Sequence, residues 1–356
     1  MDMTYQAQQS NLRDNYLADD LDHILKHTKT LWKNLREKKV FVTGGTGFFG
    51  KWLLESFACA NNQLKLNAQM VVLSRNPDSF KTLYSHLGQA SGIKFNQGDV
   101  RNFIFPQERF DFVIHAATDA SAQLNIENPL LMIDTIAEGT RRALELARHC
   151  KAKRFLLISS GAVYGKQPFD LSHLPEDYFG APDLTQPGSA YGEAKRLAEL
   201  FCSIYQKEYD LKITIARCFA FVGPYLNLNI HYAAGNFIRD GLAGGQIEVK
   251  GDGTPYRSYL YAADLAIWLW TILFRGIPGE AYNVGSEDAI TIKDLAYEVR
   301  AAFSHSPEVI IAKSPVHSRP PERYVPSIKK ARKNLGLESW INLKEALHRT
   351  IRWNQI

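Results

Sequence analysis

The chain has 356 residues, 45% hydrophobic and 22% charged, a balance that fits a globular protein of one large α/β domain or two lobes. Its net charge of +5 suits a small anionic substrate but is too slight and too dispersed to hold nucleic acid. The longest apolar run, residues 265–274, is far short of a membrane span, so no membrane partner is expected and the run reads as a buried helix.

The N-terminus lacks a basic stretch followed by an apolar run, so no signal peptide is expected. Cys59, Cys150, Cys202 and Cys218 show no paired spacing, which reads as reduced thiols in a cytoplasmic protein, most of them in the core. No metal site is expected.

Residues 1–14 are polar, without period, and are expected to lack order. Leu17, Leu21, Ile24, Leu25, Leu31, Trp32 and Leu35 fall at helical spacing and predict an amphipathic helix over 17–36, packed on its own subunit or used as an oligomer contact. From Val40 onward strand and helix alternate. Apolar strands are predicted at 40–42, 70–74, 93–95, 110–115, 155–159 and 213–216, with helices at 129–149 and 190–208.

Such alternation predicts a doubly wound parallel sheet with helices on both faces and ligands outside the carboxyl ends of the strands. After Pro224 the pattern loosens. Helices are predicted near 234–243, at 263–274, from Thr291 and at 343–353, with a short strand at 281–284. The expected organisation is an N-terminal extension over 1–37, a dinucleotide-binding domain over 38–222 and a smaller substrate lobe over 223–356, interleaved with the domain.

Three stretches carry chemistry. Gly44, Gly47 and Gly50 follow the first strand and precede Trp52, Leu53, Leu54 and Phe57 at helical spacing. The first glycine permits a sharp turn, the second lets a pyrophosphate approach the backbone, and the third lets the helix pack closely. The free N–H groups of that helix end favour phosphate.

Tyr191 and Lys195 lie four apart inside a predicted helix and so share a face. A free tyrosine is a poor base near neutral pH; a neighbouring ammonium, helped by a cationic nicotinamide ring, is expected to lower its pKa. Ser159 and Ser160 close an apolar strand, where a hydroxyl can bond a substrate oxygen while Tyr191 moves its proton.

Together these three elements resemble the extended short-chain dehydrogenase/reductase family, over about residues 38–353, and within it the nucleotide-sugar epimerase, dehydratase and reductase group. The resemblance implies a Rossmann fold and a cytoplasmic, NAD- or NADP-dependent oxidoreductase of polysaccharide biosynthesis, typically a homodimer through the helices at 129–149 and 190–208. It implies Ser160, Tyr191 and Lys195 as the catalytic set, with Lys195 also holding the cofactor ribose. Cofactor contacts would come from Gly44, Thr46, Gly47, Phe48, Phe49 and Gly50, from Ser74 and Arg75, from Asp99 and Val100, and from Ala116, Ala117 and Thr118. A nucleoside-diphosphate sugar would meet Ser160, Asn236, Arg257 and Arg319.

The departures from the family pattern carry information too. Members that prefer NAD usually place an acidic residue where this chain has Ser74; here Ser74 and Arg75 favour NADP over NAD, since a hydroxyl and a guanidinium can donate to a 2′-phosphate. Dehydratase relatives carry an Asp-Glu pair directly after the catalytic threonine, and decarboxylating ones a glutamate in the same segment. Here those positions are Gly161 and Ala162. The expected activity is therefore hydride transfer at C4, as a 4-keto reductase. A 4-epimerase is the alternative, and a catalytically silent dinucleotide-binding protein is a third reading that the intact Ser160, Tyr191 and Lys195 set disfavours.

Overall fold

Six strands follow one another in the first part of the chain: β1 (Lys39–Thr43), β2 (Gln69–Ser74), β3 (Ile93–Gln97), β4 (Phe112–His115), β5 (Arg154–Ser160) and β6 (Ile213–Cys218). Eight more follow in the second part: β7 (Phe221–Val222), β8 (Ile247–Val249), β9 (Tyr256–Arg257), β10 (Leu260–Tyr261), β11 (Ala281–Val284), β12 (Ile290–Thr291), β13 (Val309–Ile311) and β14 (Arg323–Tyr324). The computed structural model describes residues 3–118, 122–230, 232–315 and 320–355, with side chains from Tyr16 onward except that of Ala122.

The central sheet has seven parallel strands in the order β3-β2-β1-β4-β5-β6-β11. The order reverses between β1 and β4, which opens the ligand crevice of a doubly wound fold at the carboxyl ends of those two strands. Both faces of the sheet are covered, so its inner strands are apolar on both sides, while the edge strand β3 leaves Lys94 and Gln97 exposed. Val40 and Val42 pack into one core with Trp52 and Phe57, and Phe41 packs into the other with Phe103 and Phe110.

The helices are α1 (Met3–Thr28), α2 (Phe48–Gln63), α3 (Pro77–Leu83), α4 (Ser85–Gly88), α5 (Ala122–Glu127), α6 (Pro129–Cys150) and α7 (Ala190–Tyr209), then α8 (Ala233–Leu242), α9 (Ala262–Arg275), α10 (Ile292–Ala301), α11 (Lys329–Leu335) and α12 (Leu343–Asn354). Among the described residues no helix is long and apolar enough to cross a membrane. Helix α9 is instead buried over almost its whole length. Cys150, Cys202 and Cys218 are buried free thiols, and Cys59 is half-buried.

The N-terminal helix departs from the spacing in the sequence at both ends. It starts at Met3, within the stretch expected to lack order, and stops at Thr28, before a separate short turn at Trp32–Leu35. Thr28 accounts for the stop: its hydroxyl bonds the Ile24 carbonyl at 2.5 Å and accepts the Trp32 indole N–H at 2.9 Å, which turns the chain.

Leu17 and Ile24 of α1 are buried in the core of the same chain. Asp20, 2% exposed, accepts from the Tyr261 hydroxyl at 2.6 Å and from Arg349. His23 bonds Asp264 at 2.8 Å, and the second oxygen of Asp264 accepts the backbone N–H groups of Trp340 and Ile341. Helix α1 is thus fastened to the start of α9 and to the C-terminal helix. Asp20→Ala leaves a buried phenol without its acceptor and Arg349 with Glu345 as its remaining carboxylate, so it is expected to cost about 1–3 kcal/mol of stability. A urea unfolding curve checks this; an unshifted midpoint would mean the bonds contribute nothing net.

Candidate active site

The glycine turn joins β1 to α2. Gly44 has φ +72°, and a Cβ there would stand 2.5 Å from the carbonyl carbon of Ala116, so the turn lies directly on the segment that leaves β4. A Cβ on Gly50 would fall 2.3 Å from the backbone of Gly45, which explains how α2 sits so close to its own turn. At Gly47, by contrast, a Cβ would meet only the Gly44 carbonyl at 3.4 Å, and the residue is exposed. The first N–H groups of α2, at Phe48, Phe49 and Gly50, therefore stand at an open cradle of the shape a pyrophosphate needs. The side chain of Phe49 turns away from the backbone cradle and packs edge-on against Phe221 at 5.0 Å.

Ala116 and Ala117 are pinned to β1 by bonds of their N–H groups to the Thr43 carbonyl and hydroxyl, both 3.1 Å. His115 is clamped between the Thr43 hydroxyl at 2.7 Å and the Thr140 hydroxyl at 3.1 Å, and burial pulls its pKa down to about 3, so it is neutral. The hydroxyl of Thr118 is buried with no protein partner among the described residues. Such an orphan is what a bound ligand satisfies. Cradle and orphan together fit a dinucleotide.

At the end of β2, Ser74 is buried and its hydroxyl accepts the Asn76 N–H at 3.3 Å. Arg75 is exposed, with no carboxylate within 4 Å among the described residues. Asp99 is gripped by the Arg101 guanidinium at 2.9 and 3.0 Å, which holds its carboxyl below the usual range, with Arg75 adding to the effect. Arg101 escaped the sequence reading, because an i, i+2 pair in a loop has no periodic signal. Val100 is buried beside Gly139 of α6, where a Cβ would come within 3.0 Å of it.

Helix α7 brings Tyr191 and Lys195 to the end of β5. Lys195 is buried and donates to the Ile158 carbonyl at 2.9 Å; its ammonium lies 5.9 Å from the centre of the Tyr191 ring. Burial pulls Lys195 down to about 8. Ser160 ends β5 and accepts the Ala162 N–H at 3.1 Å. Burial raises the Tyr191 phenol above the ordinary tyrosine value, opposed by a bond with the Ser160 hydroxyl. Desolvation thus keeps the half-buried phenol protonated.

A second phenol stands at the same place. The Tyr324 hydroxyl lies 2.7 Å from where a Cβ on Gly161 would be, next to Ser160, and its pKa is likewise raised by desolvation. Its ring packs on Phe219 at 4.6 Å. Nothing in the sequence around Tyr324 marks it. It arrives because the two-residue strand β14 pairs in parallel with β9, setting Tyr324 beside Arg257.

Arg257 is half-buried, donates to the Tyr256 carbonyl at 2.8 Å and has no carboxylate within 4 Å among the described residues. Asn236 lies in the first turn of α8, with its amide nitrogen donating to the Ile230 carbonyl at 2.8 Å when the amide is oriented to satisfy both of its groups. Arg319 lies outside the described residues.

Comparison with known proteins fits this geometry. UDP-glucuronic acid decarboxylase 6 of Arabidopsis thaliana is 29% identical over 324 residues, 91% of this chain and 90% of that protein. The dTDP-glucose 4,6-dehydratase of Escherichia coli is 26% identical over 88% of this chain and 92% of its own length. The structure of UDP-glucose 4-epimerase from Thermotoga maritima, determined with UDP-glucose, superposes with a TM-score of 0.77 at 23% identity, covering 89% of this chain and 98% of that one. Residues 40–285, from the first strand of the sheet to the end of its last, match the NAD dependent epimerase/dehydratase family, and the chain belongs to that family.

Proposed function

We propose that the protein is a 4-keto reductase of a nucleoside-diphosphate sugar that draws on NADPH. The observation that carries this reading is the hydroxyl cluster at the end of β5: a half-buried Tyr191, its phenol kept protonated by desolvation, stands beside Ser160, with no carboxylate next to them at Gly161 or Ala162. Reduction of a C4 ketone needs an acid at the oxygen. A nicotinamide dinucleotide, when bound at the glycine turn, supplies the hydride that C4 accepts. Tyr191 gives its phenolic proton to the C4 oxygen, Ser160 orients that oxygen, and Lys195 balances the charge left on the phenol. Arg257 holds the diphosphate as an unpaired, half-shielded guanidinium.

Dehydration across C5 and C6 needs proton-transferring groups near the sugar. The space next to Ser160 is occupied by Tyr324 and Phe219, and a side chain at residue 161 would collide with both at 2.7 Å. The reading therefore excludes 4,6-dehydration and decarboxylation for this chain, although relatives at 26–29% identity bear those names. The exposed Leu130 of α6 and Leu200 and Ile204 of α7 support the homodimer expected through those helices.

The choice of NADPH rests on Ser74 and Arg75, with Arg101 close by on Asp99. Steady-state kinetics with each cofactor test it. NADPH is expected to be preferred, and Arg75→Ala is expected to reduce that preference about tenfold, the worth of one charge-assisted hydrogen bond. Equal use of both cofactors, or an NADH preference untouched by Arg75→Ala, would move the assignment to a 4-epimerase, the reaction named for the Thermotoga maritima neighbour.

A further inference from the structure

Behind Ser160 and Lys195 lies a buried ion pair that the proposed reaction does not use. Glu199 is one helical turn beyond Lys195 on α7, on the face that carries Tyr191 and Lys195. Arg217 of β6 grips it with Nε at 3.1 and 3.2 Å and a terminal nitrogen at 2.7 Å. Both side chains are more than four-fifths shielded. The Ser159 hydroxyl donates to Glu199 at 2.5 Å, so the carboxylate holds the residue immediately before Ser160.

The other end of the Arg217 guanidinium donates to the Tyr164 hydroxyl at 2.8 Å and to the Glu176 carbonyl at 3.2 Å. Tyr164 closes the short turn that follows Ser160, and its hydroxyl donates in turn to Asn283 of β11 at 2.8 Å. The strand end before Ser160 and the turn after it are therefore tied to the same two side chains.

We infer that Glu199 is a positioning residue of the reaction centre, which with Arg217 frames Ser160 on both sides and sets a fixed negative charge one helical turn from the Lys195 ammonium. The groups that face Lys195 are Tyr191, Glu199 and Cys202 on its own helix, His115 on β4 and Cys218 on β6. His115 is neutral and the two thiols are held protonated by burial, so Glu199 is the anion in this set. Removing its charge takes away the attraction that keeps Lys195 protonated and leaves Arg217 as an uncompensated positive neighbour. A purely structural ion pair would lower stability without moving the titration of Lys195.

The inference rests on Ser160 and Lys195 belonging to the reaction centre, but its test needs no substrate. In protein carrying carbon-13 at the lysine Cε, the Lys195 signal is identified by its loss in Lys195→Met and followed against pH. The wild-type midpoint is expected at about 8. In Glu199→Gln it is expected to fall by about one pH unit, and in the double variant Glu199→Gln/Arg217→Met, which leaves no buried charge unpaired, by less.

Should Glu199→Gln not fold, the double variant still reads the same quantity. A midpoint unmoved in every folded variant overturns the inference, whatever Tyr191→Phe does to turnover. Ser159→Ala keeps the charge and cuts the tie to the strand; it is expected to leave the midpoint in place while turnover falls. An unchanged turnover would remove the framing role.

Discussion

Tyr191→Phe is expected to lower turnover by about a hundredfold or more, the usual worth of a positioned proton donor, while melting temperature and dinucleotide affinity stay near those of the parent protein. The substitution removes one oxygen from a partly buried ring, and it leaves α7, Lys195 and the glycine turn untouched. What it deletes is the proton held next to Ser160. Tyr324 provides the internal control. Its hydroxyl also stands at Ser160, yet it comes from β14 and not from the helix that carries Lys195. Tyr324→Phe is expected to slow the reaction less than Tyr191→Phe. Rates from stopped-flow and steady-state measurements on the two variants decide which phenol is the acid. A near-normal rate in Tyr191→Phe, or a larger loss in Tyr324→Phe, would take the proton transfer away from Tyr191.

The second large effect is expected at Arg257. Arg257→Ala should weaken binding of a nucleoside diphosphate by roughly 2–5 kcal/mol and spare the dinucleotide. The guanidinium sits on β9, far along the chain from the turn at Gly44 to Gly50, and among the described residues its hydrogen-bond partner is a backbone carbonyl. An unpaired, half-shielded cation gains its counter-charge from the ligand, so its loss is felt in ligand affinity more than in folding. Isothermal titration of wild type and variant, first with the diphosphate and then with the dinucleotide, measures both arms. An unchanged diphosphate affinity would remove the phosphate role, and an equal loss for both ligands would point to a general disturbance of the lobe.

The sheet was legible in the sequence because its inner strands are covered on both faces. Residues 40–42, 70–74 and 213–216 read as continuous apolar runs, and the structure places strands over all of them. The long helices α6 and α7 announced themselves through an apolar stripe. The second part of the chain is different in kind. Strands of two or three residues, such as β7, β9 and β14, are too short to show a period, and their pairing is set by distant partners. Tyr324 therefore went unseen although it reaches Ser160. Desolvation of the Tyr191 phenol is hidden in the same way: spacing shows a neighbouring lysine but not the surroundings of the ring, which raise its pKa. The early stop of α1 at Thr28 turned on a side-chain bond to an indole, again a matter of three-dimensional fit.

The place of β11 at the edge of the sheet has a consequence for biosynthesis. Its partner β6 ends at Cys218, whereas β11 begins only at Ala281, with α8, α9 and four short strands between them. At a translation rate of about 5–20 residues per second, the outer edge of β6 waits roughly 3–13 s on the ribosome before its neighbour has been made. During that interval an apolar strand presents unpaired N–H and C=O groups, the template on which nascent chains associate. Chains truncated between residues 219 and 280 would keep this bare edge permanently and gather into aggregates, and chains released after residue 284 would not.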